Sequence, residues 1–235
     1  MRECEDRMKK YNLNLITDIP LLEQIDIGGK RHYTDSEGII KNPYPSVTTV
    51  LSADPSSKKG LDRWRKRVGE EEANRVSTQA LSKGNDVHEM IECHILGEEQ
   101  KKMMPNVRAL FAGLRDVADE RIDNVRMVEG QMFSHHLEVA GTVDLVAEFD
   151  GRLSIIDWKT SSKEKPRKFI NNYFKQESAY AVMFEERTGI AVDQLVTIIA
   201  HPEGTQVFVE HRDNWIDGFL KLRKLYAEQQ GRLEQ

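Results

Sequence analysis

The sequence predicts an α/β protein in which helices flank a mixed central sheet, with an additional helical part at the N-terminus. The chain has 235 residues, of which 39 % are hydrophobic, which is enough for one full-sized core. Apolar residues recur at helical spacing in the first half, whereas β-branched and aromatic residues fill strand-like runs in the second half. We therefore expect one domain over residues 1–235, with a hairpin and helices to about residue 123 and a sheet core from about residue 124.

The first half begins with a predicted hairpin over residues 20–34. The two-residue turn Gly28-Gly29 separates its arms of alternating apolar residues. Pro45 and Ser46 then form a helix-start signal before the short helix Val47–Leu51. Farther along the chain, apolar residues at helical spacing predict a helical region over residues 58–96, divided into two helices near Gly69. Pro105 indicates the start of another helix, Asn106–Ile122.

The second half changes to strands. A helix is expected to start at Pro166 and run to about Arg187, and Asp213 is expected to cap a last helix that ends near Arg232. The segments rich in β-branched and aromatic residues predict strands over Val125–Ser134, Leu137–Phe149, Arg152–Thr160, Leu195–Ala200 and Gln206–Glu210.

Composition excludes several classes of protein. Two cysteines, Cys4 and Cys93, cannot build a disulfide framework or a four-cysteine metal site, and they suit a reducing compartment. No apolar run approaches the roughly 20 residues of a membrane helix. The N-terminal residues 1–15 have the pattern of neither a secretory nor a transit peptide, so we expect a cytoplasmic protein of bacterial or phage origin with no membrane partner. The net charge of −5 does not exclude DNA binding, which depends on where the charges lie.

A hairpin in the second half contains the candidate chemistry. Asp150-Gly151 predicts a type I′ turn, and a two-residue turn fixes which residues of its strands face each other. Counting back from the turn places Asp144 opposite Asp157. Lys159 shares a strand face with Asp157, while Trp158 points to the other face.

Two facing carboxylates in apolar strands repel each other unless a cation neutralises them. Carboxylate oxygens are ligands that suit Mg²⁺ or Mn²⁺. One or two such ions at Asp144 and Asp157 would activate water, and Lys159 would orient or deprotonate that water or stabilise charge on a phosphate. The alternative is a solvated strand face, because an isolated Asp-x-Lys triplet is common.

These residues and others in the same order resemble the PD-(D/E)XK nuclease superfamily, and its RecB-like branch in particular. The matching residues are a helical histidine, a glutamate on the strand before the hairpin, the hairpin triad and a QxxxY element: His88, Glu129, Asp144, Asp157, Lys159, Gln176 and Tyr180. The segments YPSVTTVLS, LDRWRKR and GNDVHEMIE resemble the mitochondrial genome maintenance exonuclease group and its phage relatives. The resemblance runs from about Tyr33 to Ala200.

The resemblance implies a metal site. Asp144 and Asp157 would be ligands together with the main-chain carbonyl of Trp158, and His88 would complete or adjoin the metal shell. From the residues alone, His88 could instead pair with Glu92 one helical turn later. Some RecB-like nucleases also carry a four-cysteine iron–sulfur cluster, which two cysteines cannot supply, so we expect none.

The resemblance also implies catalytic and positioning roles. Lys159 would be the catalytic lysine, and Glu129 would act with it and the two aspartates. Gln176 and Tyr180 lie four residues apart on one helix face, and would hold the hairpin and touch the DNA backbone. The implied activity is exonuclease action on DNA with a free end, preferably single-stranded. The alternatives are a flap or junction endonuclease, and a non-catalytic nucleic-acid-binding module.

Two basic segments stand out in this acidic chain. Residues 55–69 and residues 159–175 each contain six basic residues against one acid. Such runs are often solvated faces, but the second follows the hairpin directly and favours phosphate binding. Trp64 could stack on a base of single-stranded DNA, or could have a core or helix-packing role. The expected DNA-contacting side chains are Lys163, Lys165, Arg167 and Lys168 in the second segment, and Arg63, Trp64 and Arg67 in the first.

Overall fold

A computed structural model describes residues 9–231, apart from the side chains of Ser57 and Lys58. Cys4 and the predicted helix end near Arg232 lie outside the described residues. Within the described part, no helix is both long enough and apolar enough to cross a membrane.

The N-terminal half forms a small sheet and four helices. The small sheet meets the rest of the protein where Ser46 bridges to Ala140 and Tyr33 packs near Phe133. Its elements are β1 (Glu23–Ile27), β2 (Lys30–Thr34), β3 (Tyr44–Pro45), α1 (Val47–Leu51), α2 (Pro55–Val68), α3 (Glu70–Leu96) and α4 (Pro105–Arg121). The predicted break between the two long helical pieces is confirmed, because Gly69 has a φ of 88° between α2 and α3.

The second half forms the central sheet and two helices. They are β4 (Ile122–Ser134), β5 (Val139–Phe149), β6 (Arg152–Thr160), α5 (Asn171–Thr188), β7 (Gln194–His201), β8 (Gly204–His211) and α6 (Ile216–Gly231). The five strands lie side by side in chain order. β6 and β7 are parallel and joined through α5, and the other neighbours are antiparallel. The predicted mixed sheet flanked by helices is confirmed.

Two apolar cores hold helices on the two sides of the sheet. On one side, α3 and α4 bury Ile91 and Leu114 against a sheet face that includes Trp158. On the other side, α1, α5 and α6 bury residues such as Phe174 and Phe184 against a second face. Burial of apolar area is the main contribution to the stability of a folded protein. The packing of helices on both faces of the sheet therefore holds the two helical layers in place relative to the hairpin.

Two predicted helix starts are wrong. A short 3-10 turn, Arg167–Phe169, follows Pro166, and α5 begins only at Asn171. Asp213 lies inside a second 3-10 turn, where its main-chain N–H donates to Nδ1 of His211, and α6 begins after it. In both places the residue that predicted a helix start is followed by, or lies in, a 3-10 turn, and the α-helix begins after that turn.

Candidate active site

The hairpin turn gives the site its register. Asp150 and Gly151 have φ values of 53° and 76°, as a type I′ turn requires. Five pairs follow the turn in the predicted register, ending with Leu145 opposite Ile156. The prediction is confirmed over these pairs.

The ladder ends immediately before the two aspartates. At this point Oδ2 of Asp144 accepts a hydrogen bond of 2.9 Å from the main-chain N–H of Trp158. Burial raises the pKa of Asp157, and repulsion by Asp144 adds to this effect, so the two carboxylates interact, while their pairing directly opposite each other stays a prediction. The site therefore occupies the end of the hairpin where regular strand pairing gives way to side-chain contacts.

α3 brings His88 to this end of the sheet. Its Nδ1 lies 3.6 Å from Oδ2 of Asp144 and 3.9 Å from Oε1 of Glu129. One ligand atom from each of these three residues lies within 4.8 Å of the other two. Burial lowers the pKa of His88, but the carboxylates raise it by more, and the net pKa is above its usual value. His88 thus makes its ion-pair contacts with these carboxylates, and we call His88, Glu129 and Asp144 the ligand cluster.

An irregular stretch of β4 aims Glu129 at the cluster. The pairing of β4 with β5 shifts between Asp123 and Met127, and Glu129 itself has a φ of 45°. The shift ends before Glu129, so the local feature of this residue is its left-handed conformation, which costs a non-glycine residue about 1–3 kcal/mol. The sequence assigned Glu129 to catalysis, whereas the structure groups it with the potential metal ligands.

Asp157 and Lys159 form a second group beside the cluster. The Lys159 ammonium pairs with Oδ2 of Asp157, whose exposed fraction is only 1 %. Burial raises the pKa of Asp157 to about 6 although Lys159 opposes that shift. Burial lowers the pKa of Lys159, but Asp157 and Asp144 raise it by more, so the amine is held protonated. The lysine thus neutralises the carboxylate that we expected a metal to neutralise, and metal ligation by Asp157 and by the Trp158 carbonyl remains a prediction.

Sequence reasoning missed two residues of α5 near this pair. The Lys159 ammonium lies over the ring of Tyr173, 5.3 Å from its centroid. Glu177 is fully buried, accepts a hydrogen bond from the Thr197 hydroxyl, and has its pKa raised well above the usual value by burial and by Asp157. An acid on the buried face of an amphipathic helix is a signal that could have identified Glu177. Nothing local in the sequence indicates the contact of Tyr173.

Gln176 and Tyr180 lie behind the hairpin. Both are buried, and Nε2 of Gln176 donates a hydrogen bond of 3.3 Å to the Tyr180 hydroxyl. The tyrosine ring packs so closely on Gly141 that a Cβ there would lie 2.8 Å from it. These contacts suit the predicted role of holding the hairpin, while the predicted contact with DNA remains a prediction.

The basic segment after the hairpin contains exposed side chains and side chains held by contacts, and the exposed Lys168 also lies over the ring of Phe169. Lys163 and Lys168 are exposed, and Lys165 is half-buried. The Arg167 guanidinium, in contrast, pairs with Glu210 and lies over the rings of Phe174 and Trp215. The expected phosphate contact of Arg167 is therefore opposed by a structural role, in which it ties the turn before α5 to β8.

The first basic segment lies on α2. Arg63 and Arg67 are exposed, and Trp64 is half-buried. Trp64 is not among the residues that pack against the apolar cores of the described chain. This placement argues against a core role for Trp64, while stacking on a base and packing between helices both stay open, and DNA contact by all three residues stays a prediction.

Comparison with known proteins agrees with this geometry. Residues 58–227 match the model of the PD-(D/E)XK nuclease superfamily. The chain is also similar to proteins named mitochondrial genome maintenance exonuclease 1. It is 26 % identical to the mouse protein, with 87 % of this chain and 67 % of that protein covered. It is 27 % identical to the human protein, with 80 % of this chain and 59 % of that protein covered. It is also 27 % identical to the Xenopus tropicalis protein, with 84 % of this chain and 58 % of that protein covered.

The chain thus spans between 58 % and 67 % of the length of these relatives. The superfamily match, in contrast, takes in most of the chain, including the ligand cluster, the hairpin and the QxxxY helix. The sequence resemblance is therefore confirmed, and the chain belongs to the PD-(D/E)XK nuclease superfamily.

Proposed function

We propose that this chain is a Mg²⁺- or Mn²⁺-dependent deoxyribonuclease that degrades single-stranded DNA from a free end. The observation that carries the proposal is the ligand cluster, with three potential ligand atoms within 4.8 Å of one another, beside the protonated Lys159. The exonuclease mode is supported by similarity to relatives that bear that activity in their name.

The donor set fits a divalent cation. His88 offers one nitrogen, and Glu129 and Asp144 offer carboxylate oxygens, a combination that suits Mg²⁺ or Mn²⁺. Asp157 and the Trp158 carbonyl are the further ligands that we propose. A bound divalent ion would lower the pKa of a water and neutralise charge on the phosphodiester.

Lys159 supplies positive charge in this proposal. An amine whose pKa is raised carries its proton at neutral pH, so it suits charge stabilisation better than proton abstraction. Its ammonium would hydrogen-bond to the phosphate while the ring of Tyr173 limits where it can move. Three buried residues of α5 would support the site without contacting the DNA phosphate at Lys159, by holding the strands and α5 in place: Gln176, Glu177 and Tyr180.

The basic side chains define a path for the DNA backbone. Lys163, Lys165 and Lys168 would contact phosphates next to the hairpin, and Arg63 and Arg67 of α2 would contact the strand farther away. Trp64 would stack on an unpaired base. We also propose that residues 1–235 act as one nuclease domain, while the cytoplasmic location stays a prediction.

Digestion of an end-labelled linear strand beside a closed single-stranded circle tests the proposal. We expect loss of the linear strand alone, in Mg²⁺ or Mn²⁺ and not in EDTA, and loss of that activity in Asp144→Ala and Lys159→Ala. Arg152→Ala is a matched control on the exposed end of the same hairpin and should retain activity. Cutting of the circle would indicate an endonuclease, and metal-independent binding without cutting would indicate a binding module.

A further inference from the structure

A groove beside the ligand cluster is not used by the proposed function. It lies between the N-terminal segment 15–22 and residues 127–131 of β4, and encloses about 670 Å³. This volume is within the usual range for pockets that bind small organic groups. Glu129 and Thr142 line the groove, so it opens next to the ligand cluster.

The path of the N-terminal segment creates the groove. The segment first pairs with β4, where the main-chain N–H of Ile16 donates to the carbonyl of Arg126 at 2.8 Å. It returns to β4 where the N–H of Leu22 donates to Oε1 of Gln131 at 2.9 Å. Ile16 and Ile19 pack against the core below, which anchors the segment between these two contacts. The groove is thus held open by fixed points on both sides.

The lining suits an uncharged, flat group with polar edges. Nine of the fourteen lining residues have aliphatic, proline or methionine side chains, and none is a lysine or arginine. Leu21 and Leu15 are 85 % and 43 % exposed and belong to the lining, so both are accessible to a group that enters the groove. Thr17, Gln131 and Thr142 add hydrogen-bonding groups. A phosphate would meet Glu129 and no cation in this groove, whereas a nucleobase would meet apolar walls and polar partners.

We propose that this groove binds the unpaired base of the nucleotide adjoining the scissile phosphate. The inference rests on the proposed function, because that function puts a phosphate at the ligand cluster and leaves the attached base within reach of the groove. Only a base that is free of a duplex can enter, since a paired base would first have to leave its stack. The groove would therefore supply the preference for single-stranded substrate.

The test is a binding titration in Mg²⁺ with short single strands that carry 2-aminopurine at each position in turn, using the Lys159→Ala background, which should bind the strands without cutting them. With Lys159→Ala alone, which serves as the unchanged protein in this test, we expect one position whose emission changes on binding. The double variant Leu15→Ser/Leu21→Ser should lose that change and bind about tenfold more weakly, because the base would lose the apolar contacts of two leucines. Both leucines are partly or largely exposed, so the variant should fold. Leu81→Ser, also an exposed leucine at 66 % but outside the groove, should behave like the unchanged protein.

The outcomes separate this inference from the proposed nuclease activity. If no position responds, or if the response persists in the double variant, the groove does not bind a base. If the response depends on the leucines but the linear strand survives in Mg²⁺ and Mn²⁺, the groove stands and the nuclease proposal fails. If the strand is digested while the leucine substitutions change nothing, the nuclease stands and the groove proposal fails. Equal loss of binding in Leu81→Ser would also overturn the groove proposal.

Discussion

Replacing Asp157 by Asn should stabilise the metal-free protein, although it removes a partner of Lys159. Burial raises the pKa of Asp157 from 3.8 to about 6, and this value already includes the attraction of Lys159. Because the folded-state pKa is raised, ionisation of this carboxylate destabilises the folded protein increasingly from about pH 4 and in full above about pH 6, and it has no effect far below pH 4. At about 1.36 kcal/mol for each pKa unit, the cost is about 3 kcal/mol at pH 8 and about half of that at pH 5. Asn lacks the charge and is close to the protonated acid in shape.

Thermal unfolding in EDTA at pH 5 and pH 8 measures this effect. For a domain of this size, about 3 kcal/mol corresponds to a rise in Tm of about 6–12 °C at pH 8. Asp193→Asn is the control, because the hydrogen bond from Arg152 lowers the pKa of this surface carboxylate, and its loss should lower Tm slightly. The reasoning is refuted if Asp157→Asn melts at or below the unchanged protein at pH 8, or if its advantage does not shrink at pH 5.

Three further predictions concern the lysine, the hairpin support and the DNA path. Tyr173→Phe should retain activity, because the ring that lies over the Lys159 ammonium is kept. Tyr173→Leu should lower kcat about tenfold with little change in KM, because the ring is lost. Equal losses of kcat in both variants, measured by steady-state kinetics, would contradict this reasoning. Gly141→Ala should lower the free energy of unfolding by about 1–3 kcal/mol in denaturant titrations, because the added methyl group would meet the ring of Tyr180. Tyr180→Leu in the Gly141→Ala background should recover part of this loss. A Gly141→Ala variant as stable as the unchanged protein would show that the contact between Tyr180 and residue 141 relaxes. Lys163→Ala/Lys168→Ala should reduce the slope of log K against log salt by about 1–2, and an unchanged slope would exclude phosphate contacts by both lysines.

Local signals predicted the hairpin well. A two-residue turn at Asp150-Gly151 allows only one register between the two strands of the hairpin, and the alternation of apolar residues agrees with that register. Counting along the chain therefore placed Asp144 and Asp157 at the same end of the hairpin, and their roles as site residues stay a prediction. What counting could not show is that pairing stops at Asp144, because the hydrogen bond from Trp158 replaces it there.

Other features depend on contacts between distant parts of the chain. Glu129 lies at the ligand cluster in a left-handed conformation that non-glycine residues rarely adopt, so its own residue type does not predict this geometry. The contact of Tyr173 with the Lys159 ammonium arises only when α5 crosses over the sheet. Pro166 failed as a helix start for a similar reason. Arg167 is held by Glu210 and two aromatic rings, and these contacts favour a 3-10 turn before α5.

The charges of the site argue for a divalent cation independently of family membership. Glu129, Asp144 and Asp157 contribute three negative charges when ionised, and Lys159 contributes one positive charge. Glu177 stays neutral at pH values below its raised pKa, so two negative charges remain uncompensated when His88 is neutral. The raised pKa values of His88 and Asp157 both move the metal-free site toward a lower negative charge by retaining protons. A divalent ion would supply the same two charges without protons, and it would free His88 and Asp157 to act as ligands, since ligands must be deprotonated. The buried charge that makes the metal-free protein less stable at pH 8 is thus the same charge that would give the site its affinity for a metal.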